Sequence, residues 1–279
     1  MNNLLYINWD IDPEMINLGG LSIRYYGLLF AVGLLLCSWI LKKIFDRDNI
    51  PDVSILVCYC LFGIIIGARL GHCLFYEPTY YLSHPWEIIL PINFNNGEIT
   101  YTGYQGLASH GGALGLIIAL IIYAVRKKQD IIKTFDYLAI VAPLGACFIR
   151  LANLMNSEII GRPTDVPWAF IFKRVDAQPR HPAQLYEAIA YLSFFVIVYY
   201  LYRTDKKRKT GYLFGLVLTM IFTFRFVIEF IKENQVGFEE TMLLDMGQLL
   251  SIPYVLLGLF FMFLYTPRKT NSNMTKKRE

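Results

Sequence analysis

Val53-Ser-Ile-Leu-Val-Cys-Tyr-Cys-Leu-Phe-Gly-Ile-Ile-Ile-Gly-Ala-Arg69-Leu-Gly-His-Cys-Leu-Phe75 is predominantly apolar and carries one formal charge, Arg69, with a histidine near its end. It is longer than the roughly 20 residues a helix needs to cross a bilayer's hydrocarbon core. Core helices of soluble proteins rarely run so far without a polar face. Comparable runs flank it at Ile23–Ile44, Leu107–Val125, Phe135–Leu154, Leu185–Tyr202, Gly211–Ile231 and Met246–Tyr265. The sequence therefore predicts an all-α polytopic membrane protein with seven transmembrane helices. Six is the alternative count, because the Leu107–Val125 run opens on Ser109, His110 and glycines and the Leu185–Tyr202 run carries Glu187.

Composition agrees with that class. Of the 279 residues 55% are hydrophobic and 17% charged, and the mean hydropathy is +0.42, against about 25% charged residues in soluble domains. Basic loop residues resist translocation, so their distribution sets orientation. The connections Lys42–Asp52, Arg126–Lys133 and Arg203–Lys209, with the tail from Arg268, hold 17 of the 26 Lys and Arg residues. These segments are expected to face the cytoplasm, which puts the N-terminus out and the C-terminus in. The net charge of +4 then reports topology, and a nucleic-acid partner is not expected.

Asp10, Asp12 and Glu14 precede the first apolar run and no small-residue cleavage site follows it, so the first span is expected to be retained. The five cysteines all fall in apolar runs, where they serve as small packing residues. No internal repeat divides the chain. Residues 1–267 are expected to form a single transmembrane catalytic domain, and 268–279 a basic, disordered tail. The long connections 76–106 and 155–184 have room for a small outward-facing cap, with Trp86 and Trp168 suited to the membrane interface.

Three arginines, Arg69, Arg150 and Arg225, lie inside apolar runs, and each costs about 2.5–3.5 kcal/mol at a span's centre. Arg225 and Glu229 stand at i,i+4 spacing and could neutralise each other. Arg150 is harder to assign to packing, because Arg150, Asn153, Asn156 and Ser157 form a polar stripe at steps of three and four that runs on to Glu158 and Gly161-Arg162. His110 sits in Ser109-His110-Gly111-Gly112, and His181 opens a segment in which Gln184 and Glu187 share a helix face. The four histidines show no i,i+4 pair and no zinc-type spacing. Arginines, a histidine and amides together suit an anionic phosphate in apolar surroundings, such as a phospholipid headgroup. Guanidinium groups also stabilise a phosphate as it gains charge on leaving, and a neutral imidazole can accept a proton.

The segment Arg150-Leu-Ala-Asn153-Leu-Met-Asn156-Ser-Glu158-Ile-Ile-Gly161-Arg162 resembles the signature of the bacterial prolipoprotein diacylglyceryl transferases. Arg24-Tyr25-Tyr26-Gly27, Gly67-Ala68-Arg69-Leu70-Gly71, Ser109-His110-Gly111-Gly112, Arg180-His181-Pro182-Ala183-Gln184-Leu185-Tyr186-Glu187, Arg225-Phe226-Val227-Ile228-Glu229 and Gly247-Gln248-Leu249 resemble the family's other motifs, in order. The likeness covers about Leu18 to Leu257. It departs from the pattern at Ala152 and Ser157, where glycines are usual, at Lys232, where an arginine is, and at Ile221, often a tyrosine.

The resemblance implies transfer of the diacylglyceryl group of phosphatidylglycerol to the lipobox cysteine thiol of a preprolipoprotein in the bacterial inner membrane, with release of glycerol 1-phosphate and no metal or other cofactor. It implies His110, Arg150 and Arg225 as catalytic residues, His110 being the candidate base. It also implies a phosphatidylglycerol-binding set of Arg150, Tyr26, Asn153, Glu158, Gly161 and Glu229, in which Glu158 and Glu229 orient the arginines and Gly161 lets its loop pack closely near the lipid. The rival reading from the residues alone is an anion transporter or channel using intramembrane arginines; a lipid acyltransferase or headgroup hydrolase is a third.

Overall fold

The structure, a computed structural model, describes residues 6–18, 21–90, 92–95, 98–101, 106–205, 207–233 and 242–266. Its order is β1 (Ile7–Trp9), β2 (Glu14–Leu18), β3 (Leu21–Arg24), α1 (Tyr25–Arg47), α2 (Val53–Phe75), α3 (Pro78–Ser83), α4 (Trp86–Ile89), β4 (Ile92–Asn95), β5 (Glu98–Tyr101) and α5 (Ser109–Arg126). Then follow α6 (Ile131–Met155), β6 (Phe170–Phe172), β7 (Pro179–Arg180), α7 (Ala183–Thr204), α8 (Tyr212–Ile228) and α9 (Met246–Leu259). A 3-10 turn, Glu229–Ile231, extends α8, and a π turn, Phe260–Leu264, extends α9.

Seven of these helices are long and apolar enough to cross a membrane, and all seven expected spans are among them. The first begins later than expected because Leu21–Arg24 pairs with Glu14–Leu18 as a hairpin. The first long connection carries two short helices, α3 and α4, and the β4–β5 hairpin; the second carries β6 and β7, strands that the sequence reading did not anticipate. The basic tail from Arg268 lies outside the described residues.

The chain divides into two compact units, Met1–Leu41 with Phe135–Glu279, and Lys42–Thr134. In the smaller unit α2 packs against α5 through glycines. A Cβ on Gly67 would fall on the Gly111 carbonyl oxygen and 2.8 Å from Gly115 Cα, so only glycine lets these backbones approach so closely. Phe62, Ile66 and Leu70 on one helix and Leu114 and Ile118 on the other line an apolar groove of about 710 Å³.

In the larger unit β1 runs parallel to β6, which pairs antiparallel with β7, and Trp9 Nε1 donates to the Leu154 carbonyl at 3.0 Å. This small sheet is thereby tied to the end of α6. Buried Leu154, Ile160, Phe170 and Phe172 form the apolar cluster beneath it. At the other end of α6, the Asp136 carboxylate accepts the amides of Gly211 and Phe214, at 2.6 and 2.8 Å, and so satisfies the free N–H groups that begin α8. Ile221 packs with Cys147, Ala188 and Tyr191, so an apolar side chain there has an apolar home.

Candidate active site

The end of α6 is built around Arg150. One helical step of three brings Asn153 onto its face, and Arg150 Nη1 donates to Asn153 Oδ1 at 3.0 Å. The helix then closes in a Schellman turn: Glu158 N donates to the Asn153 carbonyl and Ser157 N to that of Leu154, both at 3.1 Å, with Ser157 in the left-handed region at φ 54°. The reversal returns the Glu158 carboxylate to Asn153 Nδ2 at 2.7 Å and Asn156 Nδ2 at 3.3 Å. The stripe read from the sequence is thus folded back on itself as an Arg–Asn–Glu relay of hydrogen bonds.

Helix α7 supplies the other half. Gln184, Glu187 and Tyr191 lie at steps of three and four, all buried. Gln184 Nε2 donates to the Glu158 carbonyl at 2.7 Å, and Glu187 Oε2 lies 3.0 Å from Arg150 Nε. The N–H is not aligned along that contact, so this is an ion pair and not a linear hydrogen bond. Tyr191 Oη reaches the other Glu187 oxygen at 3.4 Å. Sequence spacing showed that Gln184 and Glu187 share a face but not that Glu187 is the carboxylate facing Arg150. Tyr191 was missed, although it continues the same step of four.

Tyr26, in the first turn of α1, is half-buried and within electrostatic range of Glu158 and Arg150. Arg225, on α8, is half-buried, and its Nε makes no hydrogen bond with the described residues. The i,i+4 pairing of Arg225 with Glu229 is not what forms: the Glu229 carboxylate sits 2.8 Å from Lys232 Nζ, with both side chains buried. The backbone tightens into a 3-10 turn at Glu229, and in that geometry residues three apart eclipse, which aligns Glu229 with Lys232. Lys232, read from the sequence only as a departure from a family pattern, is thus the partner of Glu229.

Gly161 pairs with Lys232 in a β-bridge and donates its amide to the His181 carbonyl at 3.0 Å. A Cβ there would lie 2.6 Å from the His181 carbonyl oxygen and 2.9 Å from that of Ile231, so glycine is what lets these backbone segments approach. Arg162 donates its amide to Ile231 O at 2.8 Å and its Nε to Lys232 O at 2.9 Å. Arg180 donates to the Gly161 carbonyl at 3.3 Å, while Asp176 at 2.5 Å and Glu233 at 3.1 Å neutralise it. Its guanidinium holds the Asp176 carboxyl below the usual carboxylate range. Burial pushes the nearby His181 imidazole below its usual range, and His181 Nδ1 lies 3.2 Å from Tyr186 Oη.

His110 belongs to the other unit, where it stands exposed in the first turn of α5. The larger unit therefore holds Tyr26 on α1, Arg150, Asn153, Glu158 and Gly161 on α6 and the segment that follows it, and Arg225 and Glu229 on α8 and its 3-10 extension, with Glu187 facing Arg150 from α7. Fixed guanidinium and ammonium groups beside amide and phenol donors bind and stabilise an anionic oxygen cluster such as a phosphate.

The family model for prolipoprotein diacylglyceryl transferase matches residues 13–264. The chain belongs to the prolipoprotein diacylglyceryl transferase family. Similar relatives carry the name phosphatidylglycerol–prolipoprotein diacylglyceryl transferase. That of Bacteroides fragilis is 57% identical over 279 residues, covering 97% of this chain and 99% of the relative. That of Chloroherpeton thalassium is 45% identical, covering 94% and 96%, and that of Tolumonas auensis 42%, covering 94% and 98%. The chain is thus a prolipoprotein diacylglyceryl transferase-family member throughout, with the Arg150 turn, the Glu187 face and Arg225 all inside the matched region.

Proposed function

We propose that the protein is a transferase of the bacterial inner membrane that moves the diacylglyceryl group of phosphatidylglycerol onto the lipobox cysteine thiol of a preprolipoprotein. The thiol gives up its proton, its sulfur bonds to the glycerol carbon bearing the phosphate, and that carbon–oxygen bond breaks with its electrons leaving on glycerol 1-phosphate. The product is a thioether. Family membership supports the reaction class, and the observation that carries the site is Arg150 held at two nitrogens, by Glu187 and by Asn153.

In this reading Arg150 and Arg225 bind the lipid phosphate and stabilise it as its charge grows on departure, which is worth most in a site with little water. Asn153 and Tyr26 order the headgroup, Glu158 holds Asn153, and His110 takes the thiol proton. The site opens toward the outer leaflet, with the N-terminus outside and the basic loops and tail in the cytoplasm. Residues 1–267 act as one catalytic domain.

The test is purified full-length protein in detergent with phosphatidylglycerol and a lipobox peptide, following peptide mass and released glycerol phosphate. Peptide gaining one diacylglyceryl group per glycerol phosphate released is expected. Glycerol phosphate without modified peptide would instead mark a headgroup hydrolase, and no reaction would return the site to anion transport.

A further inference from the structure

Arg69 is the intramembrane arginine that the proposed reaction leaves without a part. It is buried on α2, and its guanidinium is spent on backbone carbonyls. Nε donates to Ile88 O at 3.1 Å, Nη2 to Glu87 O, and Nη1 to Gly106 O at 3.5 Å. Nη1 also reaches Tyr81 Oη at 3.5 Å, and the guanidinium carbon stands 4.9 Å over the Tyr81 ring.

Two of these carbonyls belong to α4; the third, that of Gly106, lies three residues before the start of α5. The neighbouring residue completes the hold, because Ala68 O accepts the Ala108 amide at 2.9 Å. Gly106 adopts φ +76°, and the His72 imidazole lies against its Cα where any side chain would stand. Residues 106–108 are therefore pinned to α2 at both ends, and Ser109 and His110 follow directly as the first turn of α5.

We propose that Arg69 is a positioning residue that clasps the Gly106–Ala108 turn and thereby fixes the start of α5, and with it His110. The planar fork is what the task needs, since three separate nitrogens meet three carbonyls from two segments, whereas the donors of a lysine all converge on one atom. The inference rests on the reading of His110 as the group that takes the thiol proton. Misplacing such a group by about 1 Å costs on the order of 10²-fold in rate.

The experiment compares full-length Arg69→Lys and Gly106→Ala with the unsubstituted protein in detergent, by two measurements. In the transfer assay, kcat falls about 10²-fold while KM for phosphatidylglycerol stays within about twofold. In hydrogen exchange read by mass spectrometry, amides of residues 106–112 exchange faster while those in the middle of α5 and α6 do not change. Gly106→Ala disturbs the clasp from its other end and should show the same pair of effects. Normal kcat in both variants overturns the proposal, as does a lost rate with unchanged exchange at 106–112, or exchange that rises throughout the chain. His110→Gln separates the two readings. A normal rate in that variant overturns the role of His110 and the route from Arg69 together; a lost rate there, with normal Arg69→Lys, overturns only the clasp.

Discussion

Arg150 Nε lies 3.0 Å from a carboxylate oxygen of Glu187, a side chain with no solvent exposure on the facing helix. A buried charge left without its partner costs about 3–5 kcal/mol. Glu187→Gln keeps the shape and the Tyr191 contact but removes the charge, so the Arg150 guanidinium loses both compensation and direction. Turnover is expected to fall on the order of 10²-fold, which corresponds to roughly 2.7 kcal/mol, with a rise in KM for phosphatidylglycerol. Initial rates of glycerol phosphate release measure both. An unchanged kcat/KM would mean that Asn153 alone orients Arg150.

The Glu229–Lys232 pair invites a double substitution. Both side chains are buried and 2.8 Å apart. Lys232→Met strands the carboxylate and should destabilise the fold by about 3–5 kcal/mol. Adding Glu229→Gln removes the stranded charge and should recover part of that loss. Thermal unfolding in detergent of the two single variants and the double variant gives the coupling; losses that simply add would show the two residues to be independent.

Ser157 occupies the left-handed position of the α6 turn, where glycine carries no Cβ penalty. Ser157→Gly is expected to stabilise the protein, because relief of a left-handed backbone cost of roughly 1–2 kcal/mol outweighs the roughly 0.5–1 kcal/mol of extra chain entropy that glycine loses on folding, and to leave transfer activity near normal. A lowered thermal midpoint would show that the serine side chain contributes more than its backbone strain costs.

Arg225 Nε is buried with no hydrogen-bond partner among the described residues, as suits a fork held for a substrate oxygen. Arg225→Lys keeps the charge but loses bidentate geometry, and kcat should fall at least about tenfold. Competition by glycerol phosphate, measured in both proteins, would show whether the loss lies in phosphate binding; equal inhibition constants would place Arg225 away from the phosphate.

The spans were legible in the sequence because their signal is length and apolar composition, which need no tertiary information. The Arg150–Asn153 contact was legible too, since three residues along a helix fix it. What the sequence could not supply was partner choice across elements. Glu187 meets Arg150 only because α7 packs beside α6, and one-dimensional spacing is silent on that. Glu229 turned to Lys232 because the helix tightened into a 3-10 turn at that residue, a local change that i,i+4 counting assumes away. Ser157 was visible as an unusual residue, but its meaning required the φ of the turn.

His181 gives a pH dependence with a definite sign. Burial holds its imidazole below the ordinary value of about 6.5, so the unfolded chain takes up a proton before the folded one does. Stability is therefore complete above about pH 6.5 and declines as pH falls toward the folded-state value. Asp176, held low by Arg180, acts in a more acidic window: its contribution is present above the ordinary carboxylate value and is lost as pH falls through its depressed folded-state value. The two are separable by titration. His181→Gln should flatten the decline of the thermal midpoint between about pH 7 and 5.5 while leaving the steeper acid loss, and Asp176→Asn should do the reverse. The other histidines are common to all three proteins, so the difference between curves isolates each group. If His181→Gln follows the unsubstituted protein throughout, the imidazole titrates alike in the folded and unfolded chains, and the packing of His181 against Gly161 and Tyr186 is looser than its distances indicate.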